Sequence, residues 1–190
     1  MKKIIFFLFF ISLPSCDLLT TRNAEQPDTL GNSNIPATSK EILFSNFKAS
    51  MEEKNLENYL SCFVDSSFLK KKFRYFAAPG LISQYPELNN WNIESERQYF
   101  QNLKTKVKTG QSISLTLTPG NYTQIGDSAF YQIDYSISVL SENQTINGMY
   151  AGSGQFKIFR DSRSQWVIVE WADLLKDNSK SWSELKGRLY

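Results

Sequence analysis

The sequence predicts an α+β domain, and two observations carry the prediction. Apolar residues recur at helical spacing in three segments between residues 38 and 108, and beyond residue 112 the apolar period changes to two. Helices first and long strands afterwards is the order of a layer of helices packed on an antiparallel sheet. The strongest β signal is the last hairpin. In it Tyr150 to Phe159 and Gln165 to Asp173 flank the polar turn Arg160-Asp161-Ser162-Arg163-Ser164.

The chain opens on an address. Met1-Lys2-Lys3 is basic, and Ile4 to Leu13 is an apolar run too short to span a bilayer and suited to the core of a signal peptide. Leu13-Pro14-Ser15-Cys16 resembles the lipobox of bacterial lipoproteins, with Pro14 an unusual occupant. The resemblance implies cleavage before Cys16, acylation of that residue, and a protein of the cell envelope anchored to a membrane through its N-terminal lipid. The alternatives are an ordinary secretory signal and an uncleaved apolar anchor. Residues 1–15 are thus expected to be a signal peptide and residues 16–37 a tether. Asp17 to Ala37 is polar, rich in Asn, Thr, Ser, Gly and Pro, and without periodicity. A flexible segment of that length reaches roughly 25 Å.

Residues 38–190 are expected to form one domain. Thr38-Ser39-Lys40-Glu41 has the pattern of a capping box, with Thr38 as the cap, and Leu43, Phe44, Phe47 and Met51 follow at helical spacing. Asn55 caps a second short helix whose stripe is Leu56, Tyr59, Leu60 and Phe63. Phe68 to Phe76 reads as a short strand. Its Lys70, Lys71, Lys72 and Arg74 are either a solvated face or a patch for anionic lipid or ligand. Ala77 to Asn90, with two prolines and a glycine, reads as loop. Glu94 to Lys108 is the third helix, with Tyr99, Phe100, Leu103 and Val107 as its stripe and Gly110 as its stop.

Four long strands complete the domain. The first alternates Ile113, Leu115 and Leu117 with polar residues and is expected to end at Pro119-Gly120. The second, Ala129 to Val139, puts Ala129, Tyr131, Ile133, Tyr135, Ile137 and Val139 on one face. Phe130, Gln132, Asp134, Ser136 and Ser138 take the other. The third, Gly148 to Arg160, carries Gly152 and Gly154 on one face, a mark of a bend or bulge in a curved sheet. A short helix from Ser181 ends the chain, with Trp182 and Leu185 able to dock on the domain.

Composition narrows the chemistry. The chain of 190 residues is 41% hydrophobic and 14% aromatic, enough for one core. Two of its 21 Lys and Arg residues lie in the expected signal segment, leaving 19 against 19 Asp and Glu, so no electrostatic footprint for nucleic acid is present. The sequence has no histidine, which removes imidazole bases, His-containing triads and imidazole metal ligands. With Cys16 acylated, Cys62 has no internal disulfide partner. It falls in an apolar helical pattern and reads as a small buried hydrophobe. No phosphate loop, metal motif or cofactor motif is found.

From Thr38 to Asp173 the order of elements resembles the nuclear-transport-factor-2-like superfamily, the cystatin-like cone shared with ketosteroid isomerase and the SnoaL-like proteins. The residues that carry the resemblance are Phe44-Ser45-Asn46-Phe47, Asn55 to Tyr59, Glu96 to Leu103, Tyr150 to Phe156, and Trp166 to Asp173. The resemblance implies N-terminal helices on a long, strongly curved antiparallel sheet that encloses a cavity suited to a small apolar ligand. It also implies pairing of two copies through the open sheet face.

Candidate pocket residues follow. Isomerases of this superfamily use an acidic base with a tyrosine and a protonated acid. Here Asp65, Asp134 and Asp173 are candidate carboxylates, and Tyr59, Tyr131, Tyr135 and Tyr150 candidate hydroxyls; none falls on an isomerase motif, and no catalytic residue is assigned. Asp134, between Gln132 and Ser136, either lines a polar cavity floor or faces water. Trp166 and Trp171 either stack a ligand or pack the core. Three function classes remain: a non-catalytic lipoprotein that binds a small molecule or an envelope protein, a cofactor-independent cavity enzyme using carboxylate and tyrosine, and a dimerising structural module.

Overall fold

The computed structural model describes residues 35–108, 110–176 and 179–190; the expected signal segment, Cys16 and all but the end of the tether lie outside these. Helix α1 spans Lys40–Glu52. Its cap is Ser39, one residue later than the capping-box pattern placed it. Ser39 has extended backbone and its Oγ accepts from Ile42 N at 3.3 Å. Glu41 pairs with Lys40. Helix α2, Leu56–Ser61, starts at Asn55 as its spacing predicts, with the Asn55 side chain accepting from Asn58 N at 3.1 Å.

Only Arg74–Phe76 of the Phe68–Phe76 segment becomes strand β1. The stretch expected to be loop holds a single turn of helix, α3 (Leu81–Gln84), and a 3-10 segment, Pro86–Asn90. Pro86 stands at the start of that segment, where its missing N–H costs nothing. Helix α4 runs Ile93–Lys106 from an Asn92 cap.

Strands β2 (Ile113–Ile125), β3 (Ser128–Val139), β4 (Gly148–Arg160) and β5 (Trp166–Leu175) form antiparallel neighbours. The order across the sheet is β1-β5-β4-β3-β2. The sheet is therefore mixed rather than wholly antiparallel, because β1 pairs parallel to β5, Tyr75 opposite Trp171. Strand β2 does not end at Pro119-Gly120. It is an edge strand, so a residue without N–H is tolerated, and a register shift between Pro119 and Tyr122 carries the ladder on to Ile125.

The alternation read in β3 is observed. Tyr131, Ile133, Tyr135, Ile137 and Val139 are buried, whereas Phe130, Gln132, Asp134, Ser136 and Ser138 are half-buried or exposed. The helices cover the inner face. Phe47 of α1 is at the hub, with the rings of Tyr59, Trp182 and Trp171 at 5.4, 5.7 and 5.8 Å. Each such ring pair is worth roughly 0.5–1.5 kcal/mol beyond its buried area. Gly152 does not mark a bulge, which falls instead between Lys157 and Ile158. A Cβ on Gly152 would stand 2.4 Å from the Tyr135 hydroxyl and 2.7 Å from the Leu174 carbonyl oxygen, so only glycine fits.

The last helix, α5 (Trp182–Leu189), buries Trp182, Leu185, Lys186 and Leu189. Among the described residues every buried apolar one lies between Ala37 and Leu189, so a chain beginning at Asp17 retains all of them. Among the described residues no helix is long and apolar enough to cross a membrane.

Candidate binding site

The space between the helices and the inner sheet face is filled by the chain itself. Helix α5 inserts Trp182, whose indole packs 4.6 Å from Trp171 and 5.1 Å from the Tyr135 ring, centroid to centroid. Its backbone N–H donates to the Tyr135 hydroxyl at 2.8 Å and its Nε1–H to the Tyr99 hydroxyl at 3.0 Å. One turn on, Lys186 enters a box of four rings. Its Nζ is 4.0 Å from the Tyr75 centroid, 4.3 Å from Trp171, 5.0 Å from Trp91 and 5.1 Å from Tyr99. The Glu96 carboxylate closes the box. It ion-pairs with Lys186 and also accepts from the Tyr59 hydroxyl and, at 2.6 Å, from Trp91 Nε1.

A second carboxylate is equally enclosed. Asp173 accepts from the Tyr135 hydroxyl at 2.5 Å, from Ser183 N at 2.8 Å and from Ser183 Oγ at 2.6 Å. Burial, then the Asp173 charge, raises the Tyr135 hydroxyl far above its ordinary pKa. Burial likewise raises Tyr59, Tyr75 and Tyr99, so all four phenols stay neutral. Burial pulls the Lys186 ammonium down to about 8 against the opposing attraction of Glu96. Glu96 is thus paired with Lys186 and Asp173 is held by three hydrogen bonds, all inside the fold, with α5 as the seal.

The open concavity is elsewhere. A groove of about 820 Å³ runs over the helical surface from Ile35–Ala37, past the end of α2, to the start of α4. Leu60, Phe63, Val64, Phe73 and Ile93 line its apolar part, and Lys71, Lys72, Arg97 and Arg163 supply cations against Glu57, Asp65 and Glu94. Arg97 is shared between Glu94 at 3.4 Å and Glu57 at 4.0 Å. Cys62 borders the groove but is buried, and desolvation pushes its thiol up to about 12. At such a value the thiolate is scarce and the cysteine is an inert packing residue.

Of the nine candidate residues only Asp65 lines this groove. Tyr135, Trp171 and Asp173 meet in the sealed interior. Tyr131 packs against Phe44, ring centroids 5.2 Å apart, near one end of the inner face. Tyr150 donates to the Ile146 carbonyl at 3.0 Å, and buried Trp166 has Arg160 5.3 Å from its ring. Asp134 is on the outer face in an ion pair with Lys176 at 2.7 Å, and that hydrogen bond lowers its pKa. Asp65 caps an exposed turn, accepting from Ser67 N at 2.8 Å. Cys16 lies outside the described residues.

Glu96 and Lys186 were not singled out from sequence. A Glu in a first helical turn and a Lys in a last turn read as solvent-facing partners of the helix dipole. The signal was nonetheless present: Glu96 precedes Tyr99, Phe100 and Leu103, and Lys186 falls within Trp182, Leu185 and Leu189, each at i, i+3, i+4 and i+7 spacing. Among the described residues no group of three or more Cys, Asp or Glu is placed to hold a metal ion.

A helical layer closing over a curled mixed sheet is the nuclear-transport-factor-2-like, α+β fold, and solved structures match it. A conserved protein from Planctomyces limnophilus aligns with a TM-score of 0.56 at 12% identity, over 70% of this chain and 91% of its own. The β subunit of the benzoate 1,2-dioxygenase from Burkholderia mallei aligns at 0.55 and 14% identity, over 73% and 89%. A candidate dehydratase of the nuclear transport factor 2-like family from Streptomyces avermitilis aligns at 0.54 and 11%, over 72% and 92%. No protein-family model and no curated protein matches the sequence. The likeness is therefore one of fold.

Proposed function

We propose that this chain is a lipid-anchored, non-catalytic module of the cell envelope that binds a small, largely apolar molecule with one polar or anionic end in the groove beside α2. The observation that carries this reading is the groove itself. Its volume of about 820 Å³ falls in the range of sites that hold drug-sized ligands, and it combines an apolar lining with a few charged groups at the rim. The sealed interior supports the non-catalytic part, because Asp173, Glu96 and their tyrosines are saturated by partners from the same chain. Acylation of Cys16 would hold the domain at the membrane, within reach of such molecules.

The test uses the acyl-free chain from Asp17 and a panel of fatty acids and related single-tailed amphiphiles. A ligand at a hundredfold above its Kd stabilises by about 2.7 kcal/mol, which for a domain of this size raises Tm by roughly 5–10 °C. Ser61 is exposed on the groove. Ser61→Trp should leave the unliganded Tm nearly unchanged and remove the shift. If no member of the panel shifts Tm, or the variant responds like the parent, the groove reading fails.

The cavity-enzyme alternative has one observation in its favour: the Tyr135 hydroxyl and the Asp173 carboxylate are paired. Any substrate would have to displace Ser183 and Trp182 to reach them. Turnover of a ketone or enol substrate that is lost in Asp173→Asn and preserved in Ser61→Trp would favour it over groove binding.

A further inference from the structure

The basic run Lys70-Lys71-Lys72 leads into β1, at one edge of the sheet, and meets cations from β4 and its turn. Lys71 Nζ is 4.5 Å from the Phe159 ring centroid. Lys157 Nζ stands between Phe159 and Phe130, at 5.7 and 5.5 Å, and Arg163 Cζ is 3.9 Å from the Phe68 ring. Lys71, Lys72, Arg74, Lys157 and Phe159 share one shallow depression. Three acids accompany them: Glu170 is bonded to Arg74 at 2.6 Å, Asp161 is buried against Arg163, and exposed Asp65 lies near enough to Arg163 to feel its charge. The mature chain is expected to be neutral overall, so this face concentrates positive charge. Phe130 is 56% exposed and Phe68 38%, each with a cation beside its ring.

We propose that this basic and aromatic face docks flat on an anionic phospholipid surface. A soluble anion would call for a pocket with convergent donors, whereas these cations and rings are spread around a depression of only about 280 Å³. Exposed phenylalanines flanked by Lys and Arg are the composition of a surface at the lipid headgroup level. The occupant follows from the anchor, and to that extent the inference rests on the reading of Cys16: a tether of roughly 25 Å reach keeps a bilayer within contact distance of the domain. Lys71, Lys72 and Arg163 also border the groove, so docking by this face would bring the groove mouth to the membrane.

The test is vesicle co-sedimentation of the acyl-free chain from Asp17, so acylation has no part in the readout. Vesicles of phosphatidylglycerol and phosphatidylethanolamine should bind it, and phosphatidylcholine vesicles should not. Binding should weaken as salt rises. Each cation near an anionic surface contributes about a fivefold change in partitioning, so Lys70→Gln with Lys157→Gln should weaken binding about 30-fold. Neither residue lines the groove, and both substitutions keep a side chain that tolerates exposure. Phe68→Ser with Phe130→Ser should weaken it without changing the salt dependence. Equal binding to both vesicle types, binding to neither, or an unaffected lysine variant would overturn the inference. So would displacement by inorganic phosphate, or tighter binding to an oligonucleotide than to vesicles. If Cys16 proves not to be acylated, the vesicle result is unchanged; if the vesicles fail, groove binding is still measured separately by the Ser61→Trp comparison.

Discussion

Lys186 of the last helix and Glu96 of α4 form an ion pair with neither side chain exposed to water. They join the C-terminal eight residues to the middle of the chain. A buried pair is costly to desolvate, and breaking it by removing one partner leaves the other charge uncompensated. Lys186→Met should therefore destabilise by about 3–5 kcal/mol. Glu96→Gln combined with Lys186→Met should recover much of that loss, because residue 96 is then no longer left as an uncompensated buried charge. Urea unfolding of the two single variants and the double variant measures the coupling. Strict additivity would contradict a functioning pair.

The same lysine sets a pH dependence. Its folded pKa is about 8, below the ordinary value near 10.5. Between these values the unfolded chain holds the proton and the folded one releases it, so the unfolded state binds more protons and stability rises with pH. The tyrosines act in the opposite sense. Tyr59, Tyr75, Tyr99 and Tyr135 are raised in the fold, so stability they contribute is present below pH 10 and falls as the unfolded phenols ionise. Thermal unfolding should show stability climbing from about pH 8 and dropping past about pH 10. Lys186→Met should flatten the rising limb and keep the falling one.

Tyr135→Phe removes a hydroxyl that donates to Asp173 and accepts from Trp182 N. The loss should be about 1.5–3 kcal/mol, the range for hydrogen bonds to charged groups. Chemical denaturation checks it, and a loss below about 0.5 kcal/mol would mean that the α5 seat does not depend on this bond.

Gly152→Ala should cost about 1–3 kcal/mol. The added methyl meets the Leu174 carbonyl, which is fixed in the β4–β5 ladder, as well as the Tyr135 hydroxyl, so yielding on one side does not relieve the other. Gly154→Ala meets only side-chain atoms of Phe156 and Trp171 at its nearest contacts, and comparison of the two variants separates backbone from ring crowding.

Cys62 should resist iodoacetamide at pH 8 in the folded protein and react once urea unfolds it, because burial pushes its pKa to about 12. Mass spectrometry of the alkylated chain reads both states. Rapid native modification would mean that the groove floor opens.

Much of this architecture is legible in the sequence, because local pattern and tertiary demand agree there. The inner and outer faces of β3 follow from strict alternation, and α1, α2 and α4 from apolar stripes. The misreadings occur where the environment overrides local chemistry. Pro119-Gly120 ends strands in general, yet β2 is an edge and a register shift absorbs the proline. Phe68 to Phe73 has strand-like composition, but only Arg74–Phe76 finds a free edge on β5 to pair with. Thr38 and Ser39 are both good caps, and the backbone chose the second. The site was harder to read. Tyr135, Trp171 and Asp173, read as candidates for an open pocket, converge instead in the sealed interior around Trp182 and Ser183. What the pattern did not convey is that α5 fills their space with Trp182 and Lys186, leaving the open groove to residues such as Leu60, Ser61 and Ile93 that carry no chemical signature.

Native mass spectrometry of the acyl-free chain from Asp17, purified gently from its own host, tests the binding account most directly. The account predicts one added small-molecule mass per chain, absent from Ser61→Trp. A bare chain mass in both proteins would contradict it, and a bare dimer would turn the search to the outer face of β2–β5 and to protein partners.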